Sequence, residues 1–206
     1  MVNKTEIVVA TNNKGKLAEI KAILSDFPII ILGLSEIGFD REIEENGQTF
    51  LENSLVKART IASVCNRYVL ADDSGLEVAC LGGKPGVFSA RFAGENATDE
   101  ENNAKLLKEM EKIPREKRKA AFRCVMSLAS PSGRWVASVG SCPGEITFKP
   151  RGNFGFGYDP IFFVPQLNKT MAEIPLEVKN KISHRARALA RMKTLIEDFI
   201  SYPEES

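Results

Sequence analysis

Two adjacent carboxylates, Asp72 and Asp73, follow a short apolar run (Tyr68 to Ala71) in the segment VLADDSGLEVACLGG. The run predicts a strand, and in open α/β sheets ligands gather just beyond the carboxyl ends of strands. Two like charges side by side repel and favour a positive partner. A hard divalent cation such as Mg²⁺, which takes oxygen ligands, would satisfy them. The same Asp-Asp-Ser-Gly string also suits a turn, so both readings stand at this point.

Four further clusters could do chemistry. In TNNKGK, Lys14 and Lys16 fall in the first turn of a predicted helix, the wrong end for cations in a helix dipole. With Gly15 and the exposed amides they would cradle an anion such as a phosphate chain. The loop lacks the Walker A spacing, and an Asn-capped helix with solvated lysines is the plainer alternative. Glu42, Glu44 and Glu45 precede another helix N-terminus, as dipole complementarity alone would explain, or one of them is a second metal ligand beside Asp73. Lys57, on that helix, could reach a bound phosphate. In GNFGFGYDP, glycines alternate with Phe154, Phe156 and Tyr158, a pattern that allows close backbone approach and ring stacking on a base. KNKISHRARA gathers Lys179, Lys181, His184 and Arg185 at the predicted start of the last helix; His184 is the only histidine.

These clusters need elements to hold them. A strand at Ile7 to Ala10 leads into a helix with Leu17, Ile20, Ile23 and Leu24 on one face, then a strand at Ile29 to Leu32. Thr49 and Glu52 form a capping box opening a long helix whose expected buried stripe is Leu51, Leu55, Ala58, Ala62 and Cys65. A short strand is expected near Leu76 to Leu81. Thr98 and Glu101 cap a helix that turns Leu106, Leu107 and Met110 inward. AAFRCVMSLAS and RWVASVG, joined by PSG, read as a hairpin extended by Gly144 to Phe148. REKRK (Arg115 to Lys119) reads as a solvated connection. Early alternation and a later antiparallel stretch predict a mixed sheet with helices packed on it.

Lys and Arg total 28 against 27 Asp and Glu, a net charge of +1, which gives no bulk attraction to nucleic acid or to an anionic membrane. No apolar run approaches the ~20 residues needed to span a bilayer. The first strand begins almost at once, with no charged leader, so a cytoplasmic location is expected. Cys65, Cys80, Cys124 and Cys142 lack C-x-x-C spacing and read as buried thiols in a reducing compartment.

The segments TNNKGK, EENGQTFLENSLVKA, ADDSGLEV, LGGKPGVFSARF, GFGYDPIF and KISHRARAL occur in this order. Together they resemble the inosine/xanthosine triphosphate pyrophosphatase family, from Val8 to about Leu195. The resemblance implies an elongated, two-lobed α/β fold with a central mixed β-sheet flanked by helices and an active-site cleft between lobes. It implies one nucleoside-triphosphate pyrophosphatase domain over 1–206, a homodimer, and Mg²⁺-dependent hydrolysis of ITP, dITP and XTP. Thr11, Asn12, Asn13, Lys14, Gly15 and Lys16 match the triphosphate loop. Asp73 matches the catalytic proton acceptor and a metal ligand; Glu44 matches the other metal ligand, with Glu45 in its place if the register differs by one. Ser74, Phe156, Gly157, Tyr158, Asp159, Lys179, His184 and Arg185 match substrate contacts, and Lys57 is added as a phosphate contact. Many relatives have a glycine pair before GFGYD where this chain has Asn153-Phe154-Gly155.

Overall fold

Parallel pairing begins the sheet. In the computed structural model, which describes residues 4–41 and 43–201, β1 (Thr5–Val9) lies between β2 (Ile29–Gly33) and β3 (Tyr68–Val78), parallel to both. The helices α1 (Lys14–Ile23) and α2 (Phe50–Cys65) make these connections. After α3 (Asp99–Glu109) come β4 (Lys119–Ala129) and β5 (Trp135–Ile146), joined by the tight turn around Pro131 to Gly133. Next are β6 (Phe162–Val164) and β7 (Lys169–Thr170), where the pairing is antiparallel. The chain closes with α4 (Leu176–Ile182) and α5 (His184–Ser201). The described strands form one open mixed sheet in the order β2-β1-β3-β4-β5-β6-β7.

The chain forms two compact units. The first holds the residues up to Asp73, Cys124–Gly140 and those from Arg185 onward. Strand alternation gives it a core on each face of the sheet. On one face Ile7, Val9, Leu70 and Met126 meet Ile20 and Leu24 of the α1 region and Leu189, Met192 and Ile196 of α5. On the other face Val8, Val69 and Ala71 meet Ala58, Ile61 and Ala62 of α2. Full burial of each large aliphatic side chain contributes about 1.5–3 kcal/mol. The second unit holds Ser74–Arg123 and Ser141–His184. Its core gathers Leu76, Val78, Phe122, Ile146 and Phe162 with Leu106 and Met110 from the α3 region.

The boxes at Thr49 and Thr98 cap α2 and α3 as expected. Four expectations are corrected. The strand does not stop at the carboxylates: β3 runs without a break through Asp72, Asp73, Ser74 and Gly75 to Val78, and Ala79–Leu81 form a 3-10 turn. The buried side of α2 is rotated, with Leu51 exposed and Asn53, Ser54 and Lys57 buried, because the helix serves polar partners on β3. Lys179 and Lys181 lie on a separate helix, α4, which ends at Ser183 before α5 begins. Arg118 of REKRK is buried, and its guanidinium donates to the carbonyls of Met110, Ile113, Ile146 and Thr147. No described helix is long and apolar enough to cross a membrane.

Candidate functional site

In the first unit, alternation along β3 sends Asp72 and Asp73 to opposite faces. Asp72 shares the side of Leu70, facing α1 and α5. Its carboxylate pairs with Lys16 Nζ at 3.0 Å and with Arg185 at 3.4 Å. Arg185 also donates to Glu19, one helical turn beyond Lys16. All three side chains of that Glu19–Arg185–Asp72 chain are at most 3% exposed. Burial opposes ionisation of Asp72, but Lys16, Arg185 and Lys57 more than offset it, so the carboxyl is held far below its usual range. Burial likewise opposes the Arg185 charge, and Asp72 and Glu19 hold it firmly protonated.

Asp73 shares the side of Val69 and Ala71, facing α2. Asn53 Nδ2 donates to its Oδ2 at 2.9 Å, and Asn53 Oδ1 accepts from Gly47 N–H at 2.7 Å, tying the acidic loop to the same residue. Lys57 Nζ donates to the Asp72 carbonyl at 2.7 Å and to Glu45 Oε1 at 3.0 Å. Burial raises the Asp73 pKa; Lys57 and Asn53 pull it down, and Glu45 pushes it up again. Among the described loop carboxylates, Glu45 is thus the one that acts on Asp73. Glu44 Oε2 accepts instead from Asn46 at 2.8 Å. Glu42 lies outside the described residues. A buried carboxylate pushed towards neutrality, with a second acid acting on it, is a donor set that suits a hard cation. Among the described residues no three His, Cys, Asp or Glu side chains converge. Mg²⁺ does not need that, since it commonly takes one or two carboxylates and completes its shell with phosphate oxygens and water.

The TNNKGK segment forms the N-terminus of α1. Asn13 Oδ1 accepts from Lys16 N–H at 3.0 Å, and Thr11 Oγ1 accepts from Asn13 N–H at 3.2 Å. Asn12 and Lys14 are exposed, while Lys16 turns inward to Asp72. The loop therefore caps its helix with Asn13 and carries one exposed and one inward-turned lysine.

In the second unit, Asp159 Oδ2 accepts from Lys179 Nζ at 2.6 Å and from Phe156 N–H at 3.0 Å. The Lys179 ammonium lies 4.6 Å from the Phe156 ring centroid. Gly155 has φ +78°, and a Cβ there would land on the Asp159 carboxylate, so only glycine fits. Phe154, in the stretch that departs from the family pattern, is exposed, with its N–H on the Ala172 carbonyl at 3.0 Å. His184 stacks on Phe122, centroids 4.8 Å apart and planes 20° off parallel. Ser74 is half-buried on β3. Arg185, expected among the substrate contacts, pairs in the first unit with Glu19 and Asp72. Sequence reasoning missed Asp72 as the centre of the cation cage, and missed Glu19 and Asn53. Only the position of Glu19, three residues after Lys16 on a helix, hinted at its part. Of the cysteines, Cys124 and Cys142 are buried as expected, Cys65 is half-buried, and Cys80 is exposed.

An open mixed sheet with helices packed on both of its faces defines an α/β protein. A sequence model of the Ham1 family matches residues 7–195, and the chain belongs to that family. The chain is 56% identical to a dITP/XTP pyrophosphatase of Geobacter sulfurreducens over 189 residues, 92% of this chain and 95% of the relative. It is 47% identical to a dITP/XTP pyrophosphatase of Bacillus subtilis over 197 residues, 96% of this chain and all of the relative. The structure of a HAM1 protein from Coxiella burnetii superposes with TM-score 0.86 at 43% identity, covering 94% of this chain and 99% of that one.

Proposed function

We propose that the protein hydrolyses deaminated purine nucleoside triphosphates (ITP, dITP and XTP) to the monophosphate and pyrophosphate, keeping them out of DNA and RNA, with Mg²⁺ as cofactor. The observation that carries the reading is the pair of unlike carboxylates on β3. One is locked into a cation cage at the triphosphate loop; the other is buried, raised in pKa and backed by an acidic loop. The near full-length likeness to proteins named dITP/XTP pyrophosphatase supports it.

Asp73 orients and deprotonates the water that attacks the α-phosphorus in line with the leaving group. Mg²⁺ bound to Asp73 and an acidic-loop carboxylate would neutralise charge on the phosphate oxygens. The resemblance favours Glu44 for that second ligand; the observed placement favours Glu45. The Thr11–Lys16 loop, with its amides and the ammonium groups of Lys14 and Lys16, holds the leaving pyrophosphate, and Lys57 adds positive charge. Asp72 holds Lys16 and Arg185 in place and keeps Arg185 charged. In the second unit Phe156 supplies a ring face, and Lys179 and Asp159 brace the turn that carries it. A 6-keto oxygen is an acceptor where adenine presents a donor, so a site built from donors rejects adenine by leaving polar groups unpaired. We further propose a homodimer, a cytoplasmic location and a single catalytic domain built from both units.

The test is a nucleotide panel with pyrophosphate detection, with and without EDTA. Pyrophosphate from ITP, dITP and XTP, lost on chelation, is expected. Diphosphate plus phosphate would mean a stepwise phosphatase, ITP binding without turnover a sensor, and preference for UTP or m⁵UTP a pyrimidine specificity like that of the related septum-inhibition family.

A further inference from the structure

The turn Phe156–Asp159 has its backbone groups held almost completely. Phe156 N–H donates to Asp159 Oδ2, and Asp159 N–H returns to the Phe156 carbonyl at 3.2 Å. The Tyr158 carbonyl accepts from Ile161 and Phe162. The two groups of Gly157 are held from outside the turn, both by α3. Asp99 Oδ2 accepts from Gly157 N–H at 2.6 Å, and Asn103 Nδ2, one helical turn later, donates to the Gly157 carbonyl at 3.0 Å. Gly157 sits at φ +61°, so the plane of the next peptide follows from these two anchors. The Tyr158 ring is pinned separately, its hydroxyl donating to the Ser89 carbonyl at 2.8 Å.

A peptide is planar and trans, so fixing its carbonyl fixes its N–H in the opposite direction. The carbonyl of the Gly157–Tyr158 peptide is the one Asn103 holds. Among the described residues, its Tyr158 N–H is the one amide from Phe156 to Asp159 with no acceptor in the protein. Asn103 does this at a cost, because its own Oδ1 is buried without a partner. An amide kept under those terms for one hydrogen bond points to a need to hold that bond.

We propose that Asp99 and Asn103 are positioning residues for base selection: they set the Gly157–Tyr158 peptide so that its N–H is presented to the 6-keto oxygen of the purine. This rests on the proposed ITP-hydrolysing activity, and neither side chain touches substrate. The comparison that isolates it is ITP against purine riboside triphosphate, which has no 6-substituent. Asn103→Leu removes the donor. Asp99→Ala removes the acceptor on the exposed first turn of α3. Each should lower the ITP to purine-riboside ratio of kcat/KM about tenfold, the worth of one hydrogen bond, mainly through KM. Asp99→Asn, which still presents an oxygen, should stay within about threefold of the parent ratio. A purely structural role would lower melting temperature and both substrates alike, leaving the ratio unchanged in Asp99→Ala; that result overturns the proposal. If the parent protein releases no pyrophosphate from ITP, the activity reading falls and takes this one with it.

Discussion

Replacing Arg185 with methionine tests whether the cation cage holds the first unit together. The guanidinium is 1% exposed and binds two carboxylates that are themselves 3% and 1% exposed, Glu19 and Asp72. Methionine fills similar volume but leaves two buried acids without their shared cation. Breaking a buried ion pair from one side costs about 3–5 kcal/mol, because the remaining charge has been taken from water with less to compensate it. Asp72 keeps Lys16 at 3.0 Å, which argues for the lower half of that range. An unfolding entropy of about 2.1 cal/mol/K per residue gives about 0.4 kcal/mol/K for 206 residues. The melting temperature should therefore fall by roughly 7–10 °C, measured by calorimetry or circular dichroism without nucleotide and with chelator present. Adding Glu19→Gln to Arg185→Met should recover part of the loss, since it removes one of the stranded charges. A single variant that melts within about 2 °C of the parent would refute the reasoning: the cage would then be no more than a surface-like pair.

Three other outcomes follow from the same geometry. Asp73→Asn should lose at least about 100-fold in pyrophosphate release while melting at or above the parent temperature, because burial already disfavours the Asp73 charge; paired turnover and melting measurements check both. The Asp72 carboxyl is depressed in the folded state, so the stability it contributes is fully present above its ordinary value of 3.8 and is lost as the pH falls through the folded value. Urea titrations of metal-free protein from pH 7 downward should show a loss beginning near that ordinary value and reduced in Asp72→Asn. Under native conditions a thiol reagent should label Cys80 rapidly and spare Cys124, whose thiol burial pushes up to about 12, with Asp72 adding to the rise; mass spectrometry of the labelled peptides reads this directly.

The motifs and the order of elements were legible because they depend on local rules. Thr49 and Thr98 announced their helices three residues ahead through Glu52 and Glu101. What stayed hidden depends on tertiary partners. Asp72 and Asp73 look like turn residues in isolation, and only Lys16, Arg185 and Asn53, distant in sequence, make them acceptable inside a strand. The stripe of α2 was misplaced for the same reason, since Asn53 and Lys57 count as polar in any periodicity and yet face inward. Arg118 reads as one more cation in a charged run, because the four carbonyls that satisfy it come from two segments, 110–113 and 146–147, outside that run. The break between α4 and α5 carries neither glycine nor proline. Within the acidic loop, Glu44 and Glu45 are equivalent by type, and only their contacts separate them: Lys57 to Glu45, Asn46 to Glu44.

The split of Asp72 and Asp73 across β3 has a bearing on how this stretch of chain can vary in length. Adding or removing one residue just upstream would exchange the two acids, bringing Asp73 to the ammonium of Lys16 and Asp72 to the amide of Asn53, while turning Leu70 and Val69 the wrong way as well. Single-residue insertions between Tyr68 and Asp73 should therefore be among the least tolerated in the protein.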